Sequence, residues 1–287
     1  MPFELHFPGT LEEAFTLLEQ GPEGSTLPIA GGTDLLLAMD FGRFSPAHVV
    51  SLSRLPLGEL HFGKDEVRIG SMVPLRTLEL HPELARKLPA LSEALGEVGS
   101  VQLRHRATLG GNVVRASSSS DLLPPLLALD AQLKLVSREG RRTLPLEEFA
   151  TGSWKTALRH GELVEEILLP SPRPGNYGWQ RVRPANDISQ VGLAVVRHPG
   201  KGGLARWSLF AGGTSPVVQR LKRAEAVLTS MTPAEPEIAQ AARAASEEAT
   251  FVTDLRAAEA YRRHLLEVLV RRGVRATLQS AERSEGS

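Results

Sequence analysis

Two diglycines, each set between a strand-like apolar run and polar hydrogen-bonding residues, constrain this chain more than any other feature. The first is Ala30-Gly31-Gly32-Thr33-Asp34, after the apolar run from Leu27 and before Leu35-Leu36-Leu37-Ala38-Met39. The second is Thr108-Leu109-Gly110-Gly111-Asn112, followed by Val113-Val114-Arg115-Ala116, four serines from Ser117 to Ser120, and Asp121. Paired glycines let the backbone take positive φ and let another group approach where a Cβ would stand. Where such a turn opens a helix, unpaired N–H groups and a partial positive charge can receive a phosphate. Taken alone, the first diglycine fits either that role or an ordinary strand-to-helix turn. Thr33 reads as a helix cap or a phosphate donor. Asp34 would repel a diphosphate, so its carboxylate is expected to point away. The second stretch reads as a loop from Thr108 to Asp121 that exposes N–H groups, the Asn112 amide and serine hydroxyls. Long loops inside compact domains usually carry function.

Other chemistries find little support. There is no G-x-G-x-x-G and no G-x-x-x-x-G-K-[ST], so classical dinucleotide and P-loop sites are unsupported. The eight histidines are scattered without an H-x-x-x-H pair, which leaves a zinc hydrolase without ligands. Cysteine is absent, which excludes disulfides, thiolate zinc sites and any iron–sulfur cluster on this chain. Its absence also fits a cytoplasmic protein. Lys+Arg and Asp+Glu both number 33, a balance that argues against nucleic acid or an anionic membrane as the main partner. The first residues carry no secretory-signal pattern, and no run is long enough to insert in a bilayer.

At 287 residues the chain suggests about two domains. Thr10 with Glu13 forms a capping-box pattern for a helix to about Gln20, between strands at 3–7 and Leu27–Ala30. With the helix from Leu35 and a strand at Val49–Leu52, this is a compact βαβ pattern. Paired strands follow at 60–62 and 67–71, then a short helix from Pro74 and a second from Pro82 to Val98. A helix at 122–129, strands near 133–136 and 142–144, and a strand at 163–169 close this region. Ser171-Pro172-Arg173-Pro174-Gly175 reads as the clearest linker. Beyond it come antiparallel strands at 188–196 and 204–210, with Ala211-Gly212-Gly213-Thr214 as a tight turn. Three helices near 217–229, 234–249 and 254–272 end the fold, the last burying Leu255, Ala258, Tyr261, Leu265, Val268 and Leu269. Arg104-His105-Arg106 and the pairs Arg262-Arg263 and Arg271-Arg272 read as solvated charge, and Trp154, Trp179 and Trp207 as core.

The ordered motifs resemble the FAD-binding medium subunit of the molybdenum hydroxylases, the carbon monoxide dehydrogenase and xanthine dehydrogenase type. They run Ile29 to Leu35, Val67 to Ser71, Arg104 to Asn112, Asp121 to Ala131, Leu146 to Phe149, Gly161 to Val164, and Arg183 with Asp187-Ile188-Ser189. The resemblance covers roughly residues 3–280. It implies an α+β fold: a PCMH-type, vanillyl-alcohol-oxidase-like FAD-binding domain of two α/β subdomains, then a C-terminal domain of antiparallel sheet and helices. The implied divisions are 1–55, 56–174 and 175–280, with 281–287 a disordered tail.

Carried over by residue, Ile29, Ala30, Gly31, Gly32, Thr33, Asp34 and Leu35 would wrap the diphosphate of noncovalent FAD. Ala107, Thr108, Gly111, Asn112, Ser117 and Asp121 would contact the ribityl–diphosphate region and the flavin side, with Val164 against the isoalloxazine. The resemblance implies no catalytic acid, base or nucleophile here. Molybdopterin would sit on a large subunit and iron–sulfur clusters on a small one. This chain would pass electrons to an external acceptor: NAD, quinone or another carrier. Three residues depart from the family pattern. Ser118 replaces a usual proline, Arg115 replaces a small or polar residue and could reach a phosphate, and Gln180 replaces a lysine, with Arg181 a substitute cation. Two rival readings are an FAD-free assembly protein of the same fold and a stand-alone flavoprotein oxidase. Relatives that reduce 4-hydroxybenzoyl-CoA carry an extra cysteine-ligated cluster on this subunit, which a chain without cysteine cannot hold.

Overall fold

The computed structural model describes residues 3–183 and 186–285. Its first body contains β1 (Glu4–His6), α1 (Leu11–Leu18), β2 (Thr26–Ile29), α2 (Leu35–Asp40) and β3 (His48–Ser51). The three strands form a parallel sheet in the order β1-β3-β2, as the βαβ pattern predicts. Thr10 caps α1 by accepting from the Glu13 N–H, while Glu13 reaches back to the Gly9 N–H. Phe15 and Leu18 of α1 pack with Val50, Leu52, Leu55 and Leu57, and Val136 and Leu163 of the next body complete that cluster.

The second body runs β4 (Leu60–Phe62), β5 (Glu66–Gly70), α3 (Leu75–Glu79), α4 (Pro82–Lys87), α5 (Pro89–Glu97), α6 (Val101–Arg106), α7 (Leu109–Arg115) and α8 (Leu123–Ala128). It continues with β6 (Gln132–Ser137), β7 (Gly140–Pro145), α9 (Leu146–Phe149), the small pair β8 (Ala150–Gly152) and β9 (Lys155–Thr156), and β10 (Leu163–Pro170). Its antiparallel sheet has the order β4-β5-β10-β6-β7. The single helix expected from Pro82 to Val98 is two helices. Pro89 disfavours the α region for the residue before it, and Leu88 adopts φ −137°, ψ 63° between them.

The third body is the sheet β11 (Gly175–Gln180), β12 (Val191–Pro199), β13 (Ala205–Gly212) and β14 (Gln219–Arg220), backed by α10 (Lys222–Val227), α11 (Glu235–Glu248) and α12 (Glu259–Glu285). The helix expected over 217–229 begins only at Lys222, because Gln219 and Arg220 pair with β13. One face of the sheet joins Tyr177, Ala194, Val196 and Phe210 to the core of the second body. The other face packs against α10, α11 and α12. The expected linker at 171–175 is short and held: the Ser171 N–H donates to the Asp65 carbonyl and the Arg173 N–H to the Lys87 carbonyl.

The last helix buries Leu265 and Leu269 as expected, but it begins at Glu259, so Leu255 and Ala258 lie before it. Leu255 and Tyr261 are exposed, while Arg262, Leu266, Val270, Val274 and Thr277 are buried. Arg262 is therefore not solvated charge. Its guanidinium donates to the carbonyls of Gln190 and Gly213 and to Asp254, so backbone oxygens draw the cation inside. The helix continues to Glu285, where the sequence pattern ends order at 280. Arg104, too, is buried, in a two-point ion pair with Glu79. Of the three tryptophans only Trp207 is fully buried.

Candidate functional site

Residues 30–34 connect β2 to α2. Gly32 takes φ +76°, a conformation side chains rarely adopt. Among the described residues, the backbone N–H groups of Gly31, Gly32, Thr33 and Asp34 donate to no protein acceptor. Thr33 does not cap α2; its N-cap is Asp34, which makes no side-chain capping bond. The loop thus presents four consecutive donors, and Ile29 to Thr33 are all half-buried.

The second diglycine behaves differently. Thr108 to Arg115 is not a loop but a capped helix, α7, with Thr108 Oγ1 accepting from the Gly111 N–H at 3.1 Å. The Leu109 N–H goes to the Val73 carbonyl, Gly110 to Ser71, and Asn112 to Thr108. The donors expected to be exposed here are therefore used inside the protein. Two glycines are poor helix formers, which is why the pattern reads as a loop. Packing overrides propensity: a Cβ on Gly110 would lie 2.5 Å from the Ser71 Cβ.

The two stretches face each other. A Cβ on Gly31 would lie 1.9 Å from the Arg106 carbonyl oxygen and 3.1 Å from the Ala107 Cα. A Cβ on Gly111 would stand 3.8 Å from the Ala30 Cβ. Residues 29–35 and 106–112 are thus opposing walls. Asn112 and the serines continue the second wall: Asn112 Oδ1 accepts from Ser120 Oγ at 2.7 Å, and Ser117 Oγ accepts from the Ser119 N–H at 3.3 Å. The serine segment is anchored from the third body, because the Gly213 N–H donates to the Ser118 carbonyl at 2.8 Å.

Asp34 is exposed and lies 3.4 Å from Arg115 Nε, so its charge is offset at the mouth of the cleft. Arg115 also donates to Ser153 Oγ at 2.6 Å and lies over the Trp154 ring at 4.6 Å. Arg115 thus bridges the first loop and the 150–156 hairpin.

Asp121 and Val164 do not line the open face. Asp121 is buried; its carboxylate accepts from Tyr177 Oη and Ser189 Oγ, both at 2.6 Å, and from Arg181 Nη2 at 3.0 Å. Three acceptor positions of the carboxylate are thus filled from within the protein. Burial, together with the Asp121 charge, pushes the Tyr177 phenol well above its ordinary value, so Tyr177 stays a donor. Arg181 is buried, bonded to Glu97 and stacked on Trp179, and offers no free cation to replace the missing lysine. Val164 sits in the core with Leu109 and Val113 of α7. Nothing in the sequence marks Tyr177 and Ser189 as partners of Asp121, because they lie 56 and 68 positions from it.

Residues 1–172 match the family described as the FAD binding domain in molybdopterin dehydrogenase, and residues 180–277 match the CO dehydrogenase flavoprotein C-terminal domain. The chain belongs to this FAD-binding family of molybdopterin dehydrogenases. It is 30% identical over 270 residues to the nicotine 6-hydroxylase medium subunit of Paenarthrobacter nicotinovorans, covering 93% of this chain and 94% of the relative. It is 32% identical to the xanthine dehydrogenase FAD-binding subunit of Escherichia coli O157:H7, covering 77% of each. Carbon monoxide dehydrogenase from Hydrogenophaga pseudoflava, solved in a form lacking the Mo-pyranopterin moiety, superposes with a TM-score of 0.90 at 28% identity over 98% of both chains. FAD is the cofactor of this family, and the residues present fit it. Four unpartnered N–H donors suit a diphosphate, the nearby carboxylate is offset by Arg115, and hydroxyl and amide groups extend along the second wall.

Proposed function

We propose that this chain is the FAD-carrying electron-transfer subunit of a multisubunit hydroxylase or dehydrogenase. In that complex a molybdopterin subunit oxidises substrate and an iron–sulfur subunit delivers electrons here, for transfer to NAD, quinone or another external carrier. The observation that carries the reading is the run of free N–H groups at Gly31–Asp34 facing the start of α7. When bound, FAD supplies the redox chemistry. The chain's own residues hold it. Gly31, Gly32, Thr33 and Asp34 donate backbone N–H groups to the diphosphate, and Ile29, Ala30 and Leu35 shape that wall. Ala107, Thr108 and Gly111 keep the opposite wall close, while Asn112 and Ser117 offer polar contacts. Asp121 acts through its bonds to Tyr177, Ser189 and Arg181, holding the serine segment against the third body. Val164 supports α7 from within the core.

Two features support partner subunits. No cysteine is present to ligate a cluster, so an iron–sulfur relay must come from another chain. Helix α2 buries none of its residues and leaves Leu36 and Leu37 exposed, with Phe41 at its end 81% exposed. Among the described residues no helix is long and apolar enough to cross a membrane, and we place the complex in the cytoplasm. The test is the visible spectrum of the purified chain, with mass identification of what denaturation releases. Stoichiometric FAD is expected. FMN, or a folded chain that refuses added FAD, would refute the cofactor assignment.

A further inference from the structure

Away from the cleft, at the edge of the parallel sheet, three side chains that the flavin site does not use converge. β1 pairs with β3 so that Glu4 lies beside His48. Residues two apart on a strand project from one face, which puts Glu4, His6 and His48 on the same side. The backbone beneath them is pinned: the Glu4 N–H donates to the Ala47 carbonyl at 2.9 Å and the His48 N–H to Ser25 at 3.1 Å. His6 Nε2 and His48 Nδ1 are 3.1 Å apart. Glu4 places one carboxylate oxygen 3.5 Å from His48 Nδ1 and the other 4.0 Å from His6 Nε2.

Those separations match what a tetrahedral metal requires. With metal–nitrogen bonds of about 2.05 Å, neighbouring ligand atoms stand about 3.3 Å apart. The two ring nitrogens already have that spacing to within a few tenths of an ångström. The three ligand atoms lie within 4.8 Å of one another, so a single Glu4 oxygen has to close by up to about 1.5 Å on the ring nitrogens, and its side chain, 68% exposed, has room to turn. Without a metal, one N–H···N bond satisfies the facing nitrogens. A cation satisfies both lone pairs and the carboxylate together. Two imidazoles with one carboxylate suit borderline ions such as zinc, cobalt or nickel rather than magnesium or calcium.

We propose that Glu4, His6 and His48 form a binding site for one divalent transition-metal ion of the zinc class, with three protein ligands and a fourth position open to water. The ion ties the edge strand β1 to the central strand β3. None of its ligands belongs to the flavin cleft, so the two sites vary independently.

The test is calorimetric titration of zinc chloride into the full-length, flavin-loaded chain after chelator treatment. One saturable site is expected, with a Kd of about 10 µM or tighter, and zinc raises the thermal midpoint. X-ray absorption of the zinc-loaded protein shows imidazole ligation. His6→Ala and His48→Ala each abolish uptake and the thermal shift while the flavin spectrum is unchanged. Glu4→Gln weakens uptake about tenfold. If His6→Ala lowers flavin content, His6→Gln, which keeps a hydrogen-bonding group, takes its place. Absence of saturable uptake up to about 0.1 mM, or uptake that survives loss of both histidines, overturns the proposal.

Discussion

Replacing Gly31 with alanine tests whether the cleft is built on an absent side chain. The new Cβ would lie 1.9 Å from the Arg106 carbonyl oxygen and 2.6 Å from its carbon. Both are backbone atoms and cannot rotate aside. Restoring a contact of about 3.2 Å requires the two walls to part by roughly 1.3 Å. Overpacking of this kind costs about 1–3 kcal/mol of stability. The larger effect falls on the cofactor. Hydrogen bonds from the loop to a diphosphate, near 2.9 Å when made, stretch beyond about 3.5 Å. Losing two such charge-assisted bonds at about 1.5 kcal/mol each lowers FAD affinity about 100-fold. Gly111→Ala is the contrasting case. Its Cβ meets only the Thr108 side-chain oxygen at 3.1 Å and the Ala30 Cβ at 3.8 Å, so the protein tolerates it while the methyl enters the cleft. The assay is FAD affinity by flavin fluorescence, with thermal melting of both apoproteins. Gly31→Ala should melt lower and bind weakly; Gly111→Ala should melt as the parent and still bind less FAD. A Gly31→Ala chain with parental melting and stoichiometric FAD would refute the reasoning.

Arg115→Gln leaves Asp34 uncompensated beside the N–H donors and should weaken FAD binding up to about fivefold, the range of a partly exposed pair; adding Asp34→Asn should restore it. Arg262→Met strands the buried carbonyls of Gln190 and Gly213 and should cost about 3–5 kcal/mol in urea unfolding. Burial, reinforced by the charge of Arg206 and opposed by Asp130, lowers His198 from 6.5 to about 4. The unfolded chain therefore binds the proton more readily, so stability is intact above about pH 6.5 and falls toward pH 4, by up to about 3 kcal/mol. His198→Gln, which keeps a donor for the Ala128 carbonyl, should flatten that acid limb relative to the parent in pH-dependent melting.

The sequence alone determined the parts of this protein that depend on local chemistry. Strand, diglycine and helix in succession mark the first loop because positive φ and free N–H groups are properties of a few adjacent residues. The Thr10–Glu13 cap, the βαβ unit and the antiparallel strands after 190 follow from the same short-range rules. Only the tertiary structure decided which donors are free. The second diglycine looks equivalent in sequence, yet the carbonyls of Ser71 and Val73, in the turn after β5, accept from the N–H groups of Gly110 and Leu109. It likewise took Asp121 out of the open cleft, paired Asp34 with Arg115, and drew Arg262 inward toward carbonyls near residues 190 and 213. Histidines 42 positions apart became neighbours only when β1 joined β3. A side chain's charge and hydrogen-bonding capacity are written in its own position. Whether that capacity meets another protein group or is left for a ligand depends on distant residues, and packing alone brings those together.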